Sequence, residues 1–234
     1  MAGSDNKTTL EAWLKRAILT LELAPGADLD EIGLGSEHGL SRTPVREVFR
    51  ALDGLGYVEL RRNRGARVAD LSHTTLRDFF LAAPMIYGAV LRLAARNATA
   101  AQLADLRAAQ AEFRRALGHG GAAERALANN RFHEITGEMA GNVYLLPSFH
   151  RLLIDHARIG MTFYRAETPQ RADNMARASA QHDAIIAAIE AGDEAEAARL
   201  AEAHWDLSRG EIQSFVMPDA LDGLLGQSPT RQFA

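Results

Sequence analysis

Ser41-Arg42-Thr43-Pro44-Val45-Arg46-Glu47-Val48-Phe49-Arg50, followed after an apolar turn by Arg61-Arg62-Asn63-Arg64-Gly65, is the stretch that decides the fold. Ser41 or Thr43 can accept from the free amides of a first helical turn, and Pro44 sits where its missing N–H costs nothing, so a helix begins here. Arg42, Arg46 and Arg50 recur every four residues and form one basic stripe, while Val45, Val48, Phe49 and Leu52 face inward. A guanidinium can grip guanine O6 and N7 as a fork or clamp a phosphate. Gly54 and Gly56 break the helix, and Tyr57-Val58-Glu59-Leu60 is expected to pair with Ala66-Arg67-Val68-Ala69 as a two-stranded basic wing.

Upstream, Thr8-Thr9-Leu10-Glu11 reads as a capping box opening a helix with Leu10, Leu14, Ala17, Ile18 and Leu21 on one side, ended by Pro25-Gly26. Asp28-Leu29-Asp30-Glu31 is expected to start a short second helix through Leu34, and Gly39-Leu40 to turn into the recognition helix. Three helices and a hairpin make a winged helix-turn-helix over residues 1–71, a head that binds double-stranded DNA. The chain's formal charge of −4 argues against indiscriminate coating of nucleic acid; the basic residues are concentrated between Arg42 and Arg67. The 234 residues contain no cysteine, and no apolar run reads as a membrane span or signal peptide, so a cytoplasmic protein without a membrane partner is expected.

From residue 72 to 217 the chain is rich in Ala, Leu, Arg and Glu. Breaks at Thr99, Gly118 to Gly121, Gly141-Asn142, Thr168-Pro169 and Gly192-Asp193 divide it into about six helices: 76–97, 101–117, 122–140, 144–164, 170–191 and 194–215. Short connections imply an antiparallel bundle, with Pro84 a candidate kink in its first helix. The fold expected is mainly α, with residues 218–234 a disordered tail. Inside the bundle, Asn129 and His133 share a helix face, and His182 and His204 follow on two later helices, each flanked by apolar residues at helical spacing. A lone histidine of this kind is usually a core residue; three on separate helices point to one centre. Tyr87, Arg92, Arg158 and Tyr164 are further candidates to meet an acidic or hydroxylated ligand.

The head resembles the GntR family of bacterial transcription regulators through Leu29, Glu31, Leu34, Ser41 to Glu47, Leu52, Gly56, Val58 and Gly65 to Val68. The resemblance implies operator contacts from Ser41, Arg42, Thr43, Arg46, Arg50 and the wing residues Arg62, Asn63, Arg64 and Gly65. Ile32 stands where relatives often carry a basic residue. The second half resembles the FCD ligand-binding domain of the FadR subgroup through Phe132-His133, Gly141-Asn142, His182 to Ile185, Gly192-Asp193 and His204. That resemblance implies a divalent metal (zinc, nickel or manganese) on Asn129, His133, His182 and His204, helping to hold a small carboxylate or sugar acid. Asn129 replaces the family's aspartate and Gln181 a frequent glutamate, so the site loses negative charge and metal affinity should fall. The alternative is a metal-free site whose same residues hydrogen-bond the ligand directly.

A metal-dependent hydrolase is the rival class. His133-Glu134-Ile135-Thr136-Gly137 begins like a zinc-protease helix, but Gly137 stands where the second histidine belongs, and Glu134 is turned about 100° from His133. A bundle serving only dimerisation would predict an ordinary apolar core. The expectation is therefore a non-enzymatic, homodimeric, effector-responsive regulator, a repressor by family habit, reading an inverted repeat.

Overall fold

The computed structural model describes residues 2–216 apart from 63, 166 and 167, so Asn63 and the expected tail at 218–234 lie outside the described residues. In the head, α1 (Ala2–Leu19) buries Leu10, Leu14, Ala17 and Ile18 against α3 (Arg42–Leu55). Two sequence expectations need correction here. Thr8 to Glu11 lie inside α1 rather than at its start, because the helix is already running from Ala2 and Thr9 Oγ1 donates back to the Asp5 carbonyl. The helix also stops before Pro25-Gly26: Thr20 Oγ1 takes the Arg16 carbonyl, Leu21 turns to φ 58°, and the Leu23 amide closes onto Ala17 O.

Asp28–Leu29 forms a strand, β1, instead of opening the second helix. It pairs antiparallel with β3 (Gly65–Val68), whose other edge carries β2 (Val58–Arg61), so the wing is a three-stranded sheet of order β1-β3-β2. The register Val58↔Val68 and Arg61↔Gly65 is that of the expected hairpin. α2 (Glu31–Glu37) starts one residue after its cap, Asp30, whose carboxylate accepts from the Ile32 amide. α3 begins after Ser41 without a side-chain cap bond, and it ends at Gly56, whose φ of 85° is left-handed. Val45, Val48, Phe49 and Leu52 join Leu10, Leu14, Val58 and Val68 in one head core.

The remaining helices are α4 (His73–Asn97), α5 (Ala100–His119), α6 (Ala122–Ala140), α7 (Leu146–Arg165), α8 (Pro169–Glu190) and α9 (Glu194–Val216). Caps account for several boundaries: Ser72 accepts from the Thr75 amide, Thr99 and Gln102 form a capping box, and Thr168 accepts from the Arg171 amide. α4 runs unbroken through Pro84. Contrary to the sequence expectation, α4 is long and apolar enough by composition to cross a membrane; here it packs along α9, α6 and α7 as a core helix.

α6 is buried on nearly every side, between α5, α4 and α7. Its close approach to α7 depends on Gly137, where an added Cβ would stand 2.7 Å from the Phe149 ring. Phe149 in turn packs edge-on against Tyr87 of α4, with ring centroids 4.9 Å apart. Phe79, Phe80 and Trp205 complete that aromatic layer, which floors the centre of the bundle.

Candidate functional site

The head presents a continuous polar face. Ser41, Arg42, Thr43, Arg46, Arg50, Arg62 and Arg64 are all exposed, and Gly65 is half-buried at the wing tip. Glu31, Arg46, Arg50, Leu60, Arg61 and Gly65 line a shallow groove between α2, α3 and the wing. Arg46 is not a free cation: its Nε donates to Glu31 Oε2 at 2.9 Å. Glu31 is mostly buried, so it fixes the guanidinium plane and leaves the Nη edge for a base or phosphate. Gly65 has φ 72°, a left-handed conformation that favours glycine whatever the open space around it.

In the bundle, four imidazoles from four successive helices meet: His133 (α6), His156 (α7), His182 (α8) and His204 (α9). His133 lies 5.3 Å from His182, 5.3 Å from His204 and 4.9 Å from His156 by ring centroids, and His182 and His204 are 4.8 Å apart. His133, His182 and His204 each offer a nitrogen within 4.8 Å of the others. Phe132 stacks on His182 at 3.8 Å and holds its ring in place.

Each outer ring is anchored through Nδ1. Gln110 Oε1 lies 3.0 Å from His182 Nδ1, Gln181 Oε1 lies 2.9 Å from His204 Nδ1, and Tyr87 Oη lies 2.7 Å from His156 Nδ1. Nε2 of both His133 and His182 is buried without a partner. Burial holds all four rings neutral, with mutual repulsion between imidazolium charges adding to it at His133, His156 and His182. His204 is pushed down to about 4 and His156 to about 3, and His133 and His182 lie well below the ordinary value. Neutral imidazoles with orphaned lone pairs are the chemistry of a metal or hydrogen-bond acceptor site. Among the described residues no carboxylate joins the trio.

Comparison with known proteins meets this geometry from both ends. Residues 6–68 match the model of bacterial regulatory proteins of the gntR family, and residues 84–207 match that of the FCD domain. The chain belongs to the GntR family, with a C-terminal FCD domain. One relative, the "Probable D-xylose utilization operon transcriptional repressor" of Paenarthrobacter nicotinovorans, is 29% identical over 76% of this chain and 78% of its own length. The HTH-type transcriptional repressor RspR of Escherichia coli is 34% identical, over 40% of this chain and 41% of its own. Among solved structures, E. coli McbR/YncC has the same fold, with a TM-score of 0.74 at 18% identity over 90% of this chain and 98% of that one.

In this GntR-family chain the other residues singled out by sequence fall in different places. Asn129 is buried on α6 one turn before His133. Tyr87 reaches the centre, with its ring edge-on to both His133 and His156. Tyr164 packs on Phe113, which neighbours His182, and lines a small pocket with Phe163, Arg171 and Met175. Arg92 is exposed on α4. Arg158 is fully buried at the junction with the head, where it donates from Nη1 to Asp155 Oδ1 at 3.0 Å and from Nη2 to the Ala69 carbonyl at 2.7 Å. Arg151 takes the other Asp155 oxygen at 3.1 Å and lies against Gly56, where any Cβ would strike its Cδ. Leu19, Ile154 and Ala157 bury the apolar part of this seam. Burial pushes the Asp155 carboxyl up, against the pull of Arg151 and Arg158.

Sequence reasoning missed His156 and Gln110. Gln110 was findable as an amide in line with Leu106, Ala109 and Phe113 on the buried side of α5. Glu134 hydrogen-bonds Asn130 and Arg131 and acts electrostatically on Tyr57 of the head, so it is directed away from the histidine trio.

Proposed function

We propose that this GntR-family chain is a repressor that pairs two heads on an inverted repeat and senses a small organic acid in the bundle. The supporting observation is the buried trio His133, His182 and His204, with two partnerless Nε2 atoms and no charge of its own. All-imidazole donor sets suit zinc or nickel better than the harder manganese. His133, His182 and His204 would hold such an ion, with Gln110 and Gln181 fixing two of the rings and Asn129 one helical turn before His133 on α6. When bound, a dication supplies positive charge and open positions for a carboxylate or hydroxyl oxygen. Because the donors are neutral, that charge is left for an acid to balance, so metal and acid should bind cooperatively.

On the DNA side, Arg42, Arg46 and Arg50 would enter the major groove while Arg62 and Arg64 follow the adjacent backbone. The acid acts only through its different affinity for the two head arrangements, and a coupling of roughly 1–3 kcal/mol gives about a 5–150-fold change in operator affinity. A specific feature favours a second reading as well: the same lone pairs could accept from hydroxyls of a metal-free sugar ligand.

The test combines three measurements on the purified chain: metal content by mass spectrometry, selection of bound sequences from random DNA, and fluorescence anisotropy of the selected DNA with and without zinc and a panel of acids. Selected sites with twofold symmetry and an affinity that answers to zinc and one acid support the proposal. Asymmetric sites would remove the paired-head reading. An affinity indifferent to zinc but responsive to a sugar would favour the metal-free pocket.

A further inference from the structure

Three of the four imidazoles are anchored, by two kinds of partner, and the partner decides which nitrogen carries the proton. Gln110 Nε2 faces only acceptors at its strongest contacts, the Ser179 carbonyl at 2.9 Å and Asp183 Oδ1 at 3.1 Å. Its amide orientation is therefore set, and Oε1 must accept from His182 Nδ1–H. Gln181 is set in the same way by the Ala203 carbonyl, which takes its Nε2 at 3.3 Å, so His204 also carries its proton on Nδ1. Both rings turn a bare Nε2 away from their anchors.

His156 is anchored by a hydroxyl instead. Tyr87 is 4% exposed, and among the described residues its Oη has one hydrogen-bond partner, His156 Nδ1 at 2.7 Å. A buried hydroxyl proton left without an acceptor is costly, so the Tyr87 O–H donates its hydrogen bond to the Nδ1 lone pair. The ring's own proton is then on Nε2. His156 is thus the opposite tautomer to His182 and His204, and it stands outside the trio whose nitrogens converge.

We propose that His156, held by Tyr87 as the Nε2–H tautomer, is the hydrogen-bond donor for a carboxylate oxygen of the bound acid, while the trio supplies only lone pairs. This deepens the sensing reading above and rests on it. A neutral N–H recognises an oxyanion without burying a second charge, and it sits 4.9 Å from His133 by ring centroids, beside the place where the trio's lone pairs meet. His156 is a binding residue in this scheme, and Tyr87 is a positioning residue that acts through it.

Two measurements on the full chain test the proposal. In ¹⁵N-histidine-labelled protein, long-range ¹H–¹⁵N spectra should show His156 protonated on Nε2 and His182 and His204 on Nδ1, each assigned by its loss in the corresponding His→Gln variant. A His156 proton on Nδ1 overturns the proposal, whether or not any ligand binds. In the second, zinc and then acetate are titrated calorimetrically into the wild type and Tyr87→Phe, which deletes only the hydroxyl. Zinc affinity should stay within about twofold, and acetate affinity for the zinc-loaded protein should fall about tenfold, as expected for one hydrogen bond to a charged group. Unchanged acetate affinity overturns the donor role. Failure of the wild type to bind zinc would instead remove the metal-sensing reading, and the tautomer spectra would still decide His156.

Discussion

The head and the bundle solve opposite problems with polar side chains. In the head, the arginines of α3 and the wing stay in water, and their positions follow from a local run of sequence between residues 41 and 65. In the bundle, the polar groups are buried and uncharged, and they come from helices spread over more than a hundred residues: Tyr87, Gln110, His133, His156, His182 and His204. A surface meant for a polyanion can keep its charges because solvent stabilises them until DNA replaces it. A buried polar cluster without a counter-charge stays neutral. The seam on α7 mixes the two, with Asp155 and Arg158 charged, buried and paired.

That contrast can be broken or sharpened by four measurements, the largest effect first. Arg158→Ala leaves the buried Asp155 with Arg151 as its one cation and the Ala69 carbonyl without its donor, so stability should fall by about 3 kcal/mol in denaturant unfolding. A loss under 1 kcal/mol would mean that the seam is solvated. Arg46→Ala should cost about 1–3 kcal/mol in operator binding and leave the bundle's melting temperature and zinc binding unchanged. If DNA affinity holds, α3 is not the reading helix.

Acid separates the regions next. The unfolded chain's histidines protonate near 6.5, while His204 and His156 resist until about 4 and about 3. Below about pH 6.5 the unfolded state therefore binds more protons, and the bundle loses stability steadily as pH falls towards 4; above 6.5 these groups add no pH dependence. Trp205 lies in the bundle and Trp13 in the head, so Trp→Phe variants that keep one at a time can follow each region by fluorescence. A bundle signal independent of pH between 6.5 and 4 would contradict the buried neutral cluster. The smallest effect is expected from Asn129→Asp: a new anion on the His133 face should tighten zinc by roughly tenfold, the result of about 1.4 kcal/mol. No gain would place Asn129 outside the coordination shell.

The head was legible because its signals are short-range: a proline near a helix start, a four-residue arginine spacing, a glycine break and a strand pair. Beyond the misplaced ends of α1, the strand β1 was misread: it owes its existence to β3 nearly forty residues on, and nothing in Asp28-Leu29 itself distinguishes a strand from a helix approach. In the bundle, His133, His182 and His204 were visible as polar intrusions in apolar periodicity. His156 was not, because Leu152 to Met161 are buried on every side of α7 and the helical period that marks an inner face disappears. Arg158 was expected beside the ligand, yet it faces the head through the Ala69 carbonyl, while His156 faces the bundle through Tyr87. Burial by two neighbours at once leaves no periodic trace in a single helix.

Arg158 grips the head by a main-chain carbonyl, that of Ala69, a group every amino acid possesses. That hydrogen bond is thus blind to the side chain at position 69, whereas Arg151 beside it lies where a Cβ at Gly56 would stand. Substitution of the exposed arginines of α3 and the wing leaves that bond as it is, so the surface turned towards DNA can change while the bundle's hold on the head does not.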